Sequence, residues 1–358
     1  MRRFGLSFLF FLAAWASLET IVASLELLVP SEFRDRHMTL FHLFEPHPDL
    51  GFRTRPNLNS LEVNWRNDSL TGTYSTDAFG FRNVGRDYES SEIYFIGDSF
   101  TWGSWVPRKD TFPDRIGLIL GVEISNLGQE SYYIEQYLKV ARAALARGKP
   151  RKVVICLFAN DLTAPLSDDE LTNFYQRFQW DQYRYYPFYK KTLIYQAAHS
   201  FRGLVDNTAV VFGWRSGPPL SHLDRAIHST GMEFYRQLGV HPEYFSQSLN
   251  VAIEAKFRLL IQEIKTRGAE PVVFLLPSKE SAYKRTYKKL FSGDYLSIEE
   301  TSYSRLCSIA KKKDVICVDL TSAFRKRSQL VDTYFHNDPH WKMEGHRFAT
   351  PEMVPHLQ

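Results

Sequence analysis

Two residues near the C-terminus, Asp338 and His340, have the types and the spacing of a catalytic base and the carboxylate that orients it. Pro339 lies between them, so one stiffened loop can present both side chains. The carboxylate can fix the tautomer of the imidazole, whose other ring nitrogen then accepts a proton from a hydroxyl. Ser99, in the run Gly97-Asp98-Ser99, is the candidate nucleophile. This set predicts serine attack on an ester carbonyl through an acyl-enzyme.

Two further turns offer hydrogen-bond donors for the oxyanion of such a reaction. Gly128 follows the apolar stretch that ends at Asn126, and without a Cβ atom its N–H can approach an oxyanion closely. Asn160 follows another apolar stretch, and its side-chain amide is a suitable donor. Each position also has a plain structural interpretation: a strand-to-helix turn at Gly128 and a capping or turn role for Asn160.

A metal site is the alternative use of the C-terminal histidines. His336, Asp338, His340 and His346 are all metal-ligand types at close spacing. No carboxylate or thiol cluster elsewhere in the sequence completes a site, so we predict no metal. The serine mechanism needs no cofactor, and the sequence contains no phosphate loop or nucleotide motif.

The elements that must position these residues alternate between short apolar strands and helices. Strands are predicted at 93–96, 122–126, 152–158, 271–276 and 314–319, and helices at 109–120, 134–147, 245–266 and 298–311. This alternation is typical of a parallel sheet with helices on both faces, a three-layer α/β/α fold with a flavodoxin-like sheet. Such sheets carry their sites at the carboxyl ends of the strands. Ser99, Gly128 and Asn160 each follow such an end.

The combination resembles the SGNH (GDSL-type) hydrolase superfamily. The resemblance rests on the Gly-Asp-Ser turn, the step from Asn126 to Gly128, the pair Asn160-Asp161 and the Asp338-x-His340 loop, and it covers about 93–349. It implies that Ser99 is the nucleophile, His340 its base and Asp338 the residue that orients the base. It also implies an oxyanion hole formed by the N–H groups of Ser99 and Gly128 and the side chain of Asn160.

One block departs from the family pattern, because Phe158 stands where glycine is common before the Asn-Asp pair. The asparagine is retained, so the departure concerns the shape of the loop more than its chemistry. The layer at 51–82 looks like the leader of membrane-anchored bacterial members. The run from Asp338 to Trp341, followed by Gly345-His346, is similar to members that move acetyl groups on extracellular polysaccharides.

The flanking segments predict an envelope location. Arg2 and Arg3 precede an apolar run at 4–18 that continues more weakly to Val29, the pattern of an export signal. We expect 1–29 to be an uncleaved single-pass membrane anchor, with the following domain outside the cytoplasm. Cleavage near Ala14-Trp15-Ala16, giving a secreted product, and a buried N-terminal helix of a cytosolic protein are the alternatives.

The rest of the chain divides into two further regions. A linker and an extended brace are expected at 30–90, with two strands at 61–65 and 72–76 around a polar turn. The catalytic domain then occupies 91–358. Within it the alternation is lost at about 162–242, an aromatic-rich stretch interpreted as an insertion that caps the site or packs on its own aromatic core.

The charge and cysteine content limit the kinds of partner and the compartment expected for the chain. The formal net charge is +4 and the basic residues are interspersed with acidic ones, so no nucleic-acid partner is predicted. Among three cysteines, Cys156 and Cys317 fall in apolar strands, so inert buried thiols are the default expectation. Cys307 and Cys317 flank a helix-to-strand connection, and a disulfide between them in an oxidising compartment is the alternative. The expected partners are the acyl ester or glycan substrate that the resemblance implies and a membrane reached through the N-terminal helix.

Three functions remain open on this basis. An esterase, with water as the acceptor, is the first. An O-acyltransferase acting on a cell-envelope or secreted glycan is the second. A non-catalytic envelope assembly factor on a hydrolase fold is the third, and the intact set of Ser99, Asn160, Asp338 and His340 argues against it.

Overall fold

A five-stranded parallel sheet forms the centre of the computed structural model, which describes residues 14–18, 43–65, 70–86, 88–162, 225–227, 232–235, 247–291 and 295–358. The strands are β1 (Phe44–His47), β2 (Gly51–Thr54), β3 (Leu61–Trp65), β4 (Leu70–Tyr74), β5 (Ile93–Ile96), β6 (Ile124–Asn126), β7 (Lys152–Phe158), β8 (Arg225–Ile227), β9 (Glu233–Tyr235), β10 (Glu270–Leu276) and β11 (Ile316–Asp319). The helices are α1 (Ser99–Trp102), α2 (Phe112–Leu120), α3 (Ile134–Leu145), α4 (Gln247–Thr266), α5 (Lys279–Ala282), α6 (Lys284–Leu290), α7 (Tyr295–Lys311), α8 (Thr321–Arg327) and α9 (Met343–Met353).

The order of strands in this sheet is β11-β10-β7-β5-β6, and every neighbouring pair is parallel. Counted along the chain, this is the flavodoxin-like order 2-1-3-4-5, which confirms the predicted sheet. The first strand, β5, lies between the second and the third, so successive connections leave it in opposite directions. Sheets of this kind carry their sites outside the carboxyl ends of the strands at such a switch point, and Ser99 follows β5 there.

Alternating side chains of the sheet enter two separate cores. Along β7, Val153, Ile155 and Leu157 belong to the core on one face, and Val154 and Cys156 belong to the core on the other. Helices α3, α4 and α7 pack on the first face, and helices α2, α8 and α9 pack on the second. Both faces of a parallel sheet are thus covered, which accounts for its nearly continuous apolar strands.

Two predicted strands begin later than expected because a left-handed residue precedes each of them. Gly121, at φ 67°, ends α2, and β6 begins only at Ile124. Asp314, at φ 50°, turns the chain after α7, and β11 begins at Ile316. A residue in this conformation interrupts extended pairing, so the apolar residue that follows it cannot yet join the sheet.

The brace before the sheet consists of two antiparallel hairpins, β1–β2 and β3–β4. The predicted hairpin of two strands is confirmed, although its second strand begins at Leu70 and pairs Val63 with Gly72. A disulfide joins Cys307 in α7 to Cys317 in β11, so the pairing that the sequence left open is formed. Cys156 is a buried free thiol in β7.

Within the expected N-terminal anchor, only residues 14–18 are described, and they are helical. The rest of the anchor lies outside the described residues. Within the part of the chain that the structure describes, no helix combines the length and the hydropathy needed to cross a bilayer. Most of the predicted insertion at 162–242 also lies outside the described residues. Its described part includes the antiparallel pair β8–β9 and Met232, which packs with Tyr287, Phe291 and Leu296.

Candidate active site

The turn from β5 into α1 presents Ser99 at the edge of the sheet. Asp98 precedes the helix, and its Oδ1 accepts the N–H of Phe100 at 3.0 Å. A Cβ atom at position 97 would lie 2.1 Å from Oγ1 of Thr101, so only glycine fits there. Gly103, at φ 82°, ends the helix after one turn. Ser99 is thereby held on a short, tightly packed turn.

Ser99, His340 and Asp338 form a continuous hydrogen-bonded chain. The Oγ of Ser99 lies 2.7 Å from Nε2 of His340, and Nδ1 of His340 lies 2.5 Å from Oδ1 of Asp338. The same carboxylate oxygen accepts the backbone N–H of His340 at 3.0 Å, which fixes the loop around Pro339. The His340 side chain remains 18% exposed, so a leaving group can reach the ring. This is the geometry of a nucleophile, a base and an orienting carboxylate.

The environment of His340 favours its protonated form. Burial by itself lowers the pKa of the imidazole, but the nearby carboxylates of Asp338, Glu130 and Asp98 outweigh it and raise the pKa to about 9. The pKa of Asp98 is itself raised to about 7, chiefly because its carboxyl is buried. An acidic surrounding of this kind stabilises the imidazolium that forms when Ser99 loses its proton.

Glu130 is a residue that the sequence analysis missed, although it is only two positions beyond Gly128. Its carboxylate is partly buried and accepts the hydroxyl of Ser104, whose oxygen also lies 3.2 Å from the carbonyl oxygen of Ser99. Burial raises the pKa of Glu130, and the charge of His340 opposes that shift. Glu130 is thus a second acidic group linked to the serine turn.

The pH dependence of activity follows from these groups. The neutral imidazole is the base, so we expect activity to be lost as the pH falls below about 9. In Glu130→Gln one of the charges that raise the pKa of His340 is absent, so the acid limb should move to lower pH. At pH 7 the rate relative to the alkaline plateau should rise several-fold. The measurement is kcat/KM for a soluble ester between pH 6 and pH 10.

The matched control is Glu123→Gln, which removes an exposed carboxylate and should leave the profile unchanged. An acid limb that stays in place in Glu130→Gln would show that Glu130 does not act on the base.

Gly128 packs directly against the serine helix, but its N–H is already engaged. A Cβ atom at this position would lie 2.5 Å from the backbone nitrogen of Trp102, so the close approach requires glycine. The N–H donates to Oδ1 of Asn126 at 3.0 Å, and Nδ2 of Asn126 donates to the carbonyl of Thr101 at 2.7 Å. To hold an oxyanion, Gly128 must share or exchange its bond to Asn126, and its donor role stays a prediction.

Asn160 lies in a 3-10 turn, Ala159–Leu162, directly after β7 at the carboxyl edge of the sheet, and is half-buried. The next residue, Asp161, fixes this turn: its two carboxylate oxygens accept the Phe158 N–H and the Tyr137 hydroxyl, both at 2.8 Å. Burial and the nearby Asp98 hold the pKa of Asp161 well above its usual value. Ser99, at the first position of its helix, contributes an N–H that the helix itself does not use.

The departure at Phe158 has a packing explanation. Its ring centroid lies 4.2 Å from that of Phe100, the residue after the nucleophile. Phe100 in turn lies 5.2 Å from the ring of His340 and 5.2 Å from the ring of Trp341. These aromatic rings therefore connect the serine helix with the end of β7 and with the loop that carries His340. A glycine at position 158 would leave a gap in this cluster.

The brace fixes the loops of the site through polar side chains that the sequence did not single out. Arg82 is buried and donates to the carbonyls of Trp102, Gly103 and Val106 at 2.9, 2.7 and 3.0 Å. Gln129 donates from its backbone to the carbonyl of Gly97 at 3.0 Å and from its side chain to that of Gly80 at 2.9 Å. The brace is therefore a structural part of the site.

The other C-terminal histidines have separate roles. His336 pairs with Asp332 at 2.9 Å. His346 is buried, its Nδ1 accepts the N–H of Phe112 at 3.3 Å, and burial lowers its pKa to about 3. Throughout the described ranges, no group of three or more His, Cys, Asp or Glu side chains is placed to hold a metal ion.

Residues 240–357 match the family model of the SGNH hydrolase-like domain of the acetyltransferase AlgX. The match includes Asp338 and His340 but not Ser99, Gly128 or Asn160. Together with the flavodoxin-like order of the sheet, it supports the resemblance to the SGNH hydrolases in this part of the chain. No curated protein matches the chain.

Several solved structures are similar to the chain. One is a member of the lipolytic G-D-S-L family from Veillonella parvula DSM 2008, with 12% identity, coverage of 74% of this chain and 96% of that chain, and a TM-score of 0.41. The acetyl xylan esterase AlAXEase has 12% identity, coverage of 74% and 99%, and a TM-score of 0.44. A catalytic mutant of an acetylxylan esterase from Geobacillus stearothermophilus has 14% identity, coverage of 75% and 94%, and a TM-score of 0.40. With TM-scores below 0.5, these similarities identify no substrate for the chain.

Proposed function

We propose that the chain is a serine-dependent ester hydrolase that works through an acyl-enzyme on Ser99. The observation that carries this proposal is the hydrogen-bonded chain from Ser99 through His340 to Asp338, with distances of 2.7 and 2.5 Å. If the loop at 336–340 were only a solvent-exposed, histidine-rich loop, nothing would place the imidazole of His340 between a serine hydroxyl and a buried carboxylate.

The reaction begins when Oγ of Ser99 bonds to the ester carbonyl carbon and its proton passes to Nε2 of His340. The carbonyl electron pair moves onto the oxygen, which the N–H of Ser99, Gly128 and the amide of Asn160 would stabilise. When the tetrahedral intermediate collapses, the bond to the leaving alkoxide breaks and His340 returns the proton to it. An acceptor hydroxyl then attacks the acyl-enzyme by the same steps in reverse, and Ser99 regains its proton.

The identity of that acceptor separates the two enzymatic alternatives. With water the chain is an esterase, our first proposal. With a glycan hydroxyl it is an O-acyltransferase, and the match of 240–357 to the domain of an acetyltransferase supports this second candidate. Transfer requires a site that excludes water and binds the acceptor.

We also propose that the enzyme acts outside the cytoplasm, anchored by residues 1–29. The basic Arg2 and Arg3 before an apolar run support export, and the disulfide between Cys307 and Cys317 fits an oxidising compartment. Secretion after cleavage of the signal is the alternative. Fractionation of cells that express the full chain separates the two: an anchored chain stays with membranes after a high-salt wash.

The experiment that tests the function measures release of p-nitrophenol from p-nitrophenyl acetate by the full chain, with a chelator present. Added glycan oligosaccharides then report transfer, as acetylated glycan formed at the expense of free acetate. Hydrolysis that survives chelation and requires Ser99 supports the esterase. Turnover only when a glycan is present supports the acyltransferase, and no turnover under either condition supports a non-catalytic role.

Replacement of the proposed amide donor should slow the reaction without preventing folding. In Asn160→Ala we expect kcat to fall about 100-fold or more, since one preorganised oxyanion donor is removed. KM should change little, because the oxyanion exists only after attack. Steady-state kinetics with p-nitrophenyl acetate and a thermal melt check both points. A kcat close to that of the wild type would remove Asn160 from the oxyanion hole.

A further inference from the structure

A second cleft lies between the first hairpin, β1–β2, and helix α3. Its volume is about 790 Å³, a size typical of small-molecule sites. None of Ser99, Asp338 and His340 lines it. It is therefore distinct from the candidate active site, and we call it the basic cleft.

Positive charge predominates in the basic cleft. Its charged lining consists of Asp49, Arg53, Lys139, Arg142 and Arg147. Arg53 pairs with Glu45 at 2.7 Å, and Arg142 pairs with Glu263 at 2.7 Å. Lys139 donates to the backbone carbonyl of Asp49 at 2.9 Å. Among the described lining residues, four cationic side chains accompany one carboxylate, so the cleft suits an anion.

Arg147 is the cation best placed to bind that anion. Its guanidinium carbon lies 4.1 Å from the ring centroid of Phe79, and the residue is exposed. In the described part of the chain, no carboxylate pairs with it. This cation–π contact places the guanidinium over the ring. The N–H edge of a guanidinium matches the oxygens of a phosphate in a bidentate manner.

The remaining lining is largely apolar. Leu50, Phe79, Phe81 and Tyr88 contribute to the wall on the side of the brace, and Val140 contributes from α3. A bare inorganic anion would leave this surface unused. The lining is better matched by an amphiphile that combines a phosphate with an apolar body.

The predicted membrane segment precedes, along the chain, the hairpin that forms one wall of the basic cleft. Residues 30–42 separate Val29 from the first hairpin, a reach of at most about 45 Å if fully extended. We propose that the basic cleft binds the headgroup of an anionic phospholipid, with its phosphate on Arg147. This proposal rests on the membrane anchorage proposed above and is independent of the chemistry at Ser99.

The test is calorimetric titration of the full chain, in a neutral detergent, with dihexanoylphosphatidylglycerol below its micellar concentration. We expect dihexanoylphosphatidylcholine, which carries no net charge, to bind at least about tenfold more weakly. In Arg147→Ala the Kd for phosphatidylglycerol should rise about tenfold or more, because a charge-assisted bidentate pair is lost. Arg147→Lys should recover only part of the affinity, because it keeps the charge but not the fork.

The matched control is Lys149→Ala, which removes an exposed cation two residues away and outside the lining. Equal weakening by both alanine variants would overturn the proposal in favour of general surface charge. If inorganic phosphate binds as tightly as the lipid, the basic cleft is a free-phosphate site and the proposal is overturned. If an acidic oligosaccharide binds more tightly than the lipid, the basic cleft is a glycan site and the proposal is likewise overturned. Absence of lipid binding would also refute it. Hydrolysis of p-nitrophenyl acetate by the same preparations reports separately on the function proposed for Ser99.

Discussion

Ser99→Ala should abolish ester hydrolysis, with kcat falling at least about 10⁴-fold, because the variant has no oxygen with which to form the acyl-enzyme. The fold should be retained, since the Ser99 hydroxyl contacts His340 and the turn is held by Asp98 and by the glycines at 97 and 103. The measurement is the initial rate with p-nitrophenyl acetate at pH 9, with a thermal melt of each protein.

The control is Ser322→Ala, which removes an exposed hydroxyl from α8 and should leave the rate unchanged. A chelator is present throughout, so that ester hydrolysis by contaminating metal ions does not contribute to either rate. A folded Ser99→Ala protein that keeps a tenth of the wild-type rate would refute the assignment of the nucleophile.

Asp338→Asn should cost about 10⁴-fold in kcat, the loss known for the corresponding change in Ser-His-Asp enzymes. The amide is nearly isosteric, but it can donate to Nδ1 of His340 and so favour the tautomer that presents a protonated Nε2 to Ser99. The variant also loses a charge that raises the pKa of His340, so any remaining activity should have its acid limb at lower pH. Both effects are read from a pH profile of kcat.

Asp332→Asn provides the matched control, because Asp332 pairs with His336 near the same loop and is half exposed. We expect it to retain the wild-type rate. If Asp338→Asn and Asp332→Asn were equally active, the carboxylate of Asp338 would have no part in orienting the base.

The stability of the folded state should also depend on this histidine. The folded pKa of His340 lies above its usual value, so its contribution to the free energy of unfolding is fully present below pH 6.5 and is lost as the pH rises through about 9. Activity has the opposite pH dependence, because the base must be neutral. The alkaline conditions that favour turnover are therefore those in which this loop is less strongly held.

The sequence was sufficient for the sheet and for the residues that meet at its edge. Alternation of short apolar strands with helices fixes a parallel sheet, and the carboxyl ends of β5, β6 and β7 then bring Ser99, Gly128 and Asn160 to one side. The spacing of Asp338 and His340 predicts one loop for both, which is what the structure has. These features can be predicted because they depend on local sequence patterns and not on contacts with distant parts of the chain.

Other parts of the site depend on long-range contacts that no local pattern encodes. Arg82 looks like a surface residue of the brace, yet it is buried against the carbonyls that follow the serine helix. Glu130 becomes important only because folding brings Ser104 and His340 near it. The engagement of the Gly128 N–H by Asn126 likewise depends on a side-chain orientation that spacing cannot specify.

The most direct test of the central claim is labelling of the full chain with a fluorophosphonate, followed by mapping of the adduct by mass spectrometry. An activated serine loses its proton to the histidine and bonds to phosphorus, and fluoride leaves. We predict a single adduct on Ser99, formed rapidly in the wild type and very slowly in His340→Ala. An adduct on another residue, or no adduct on a folded protein that hydrolyses esters, would contradict the account.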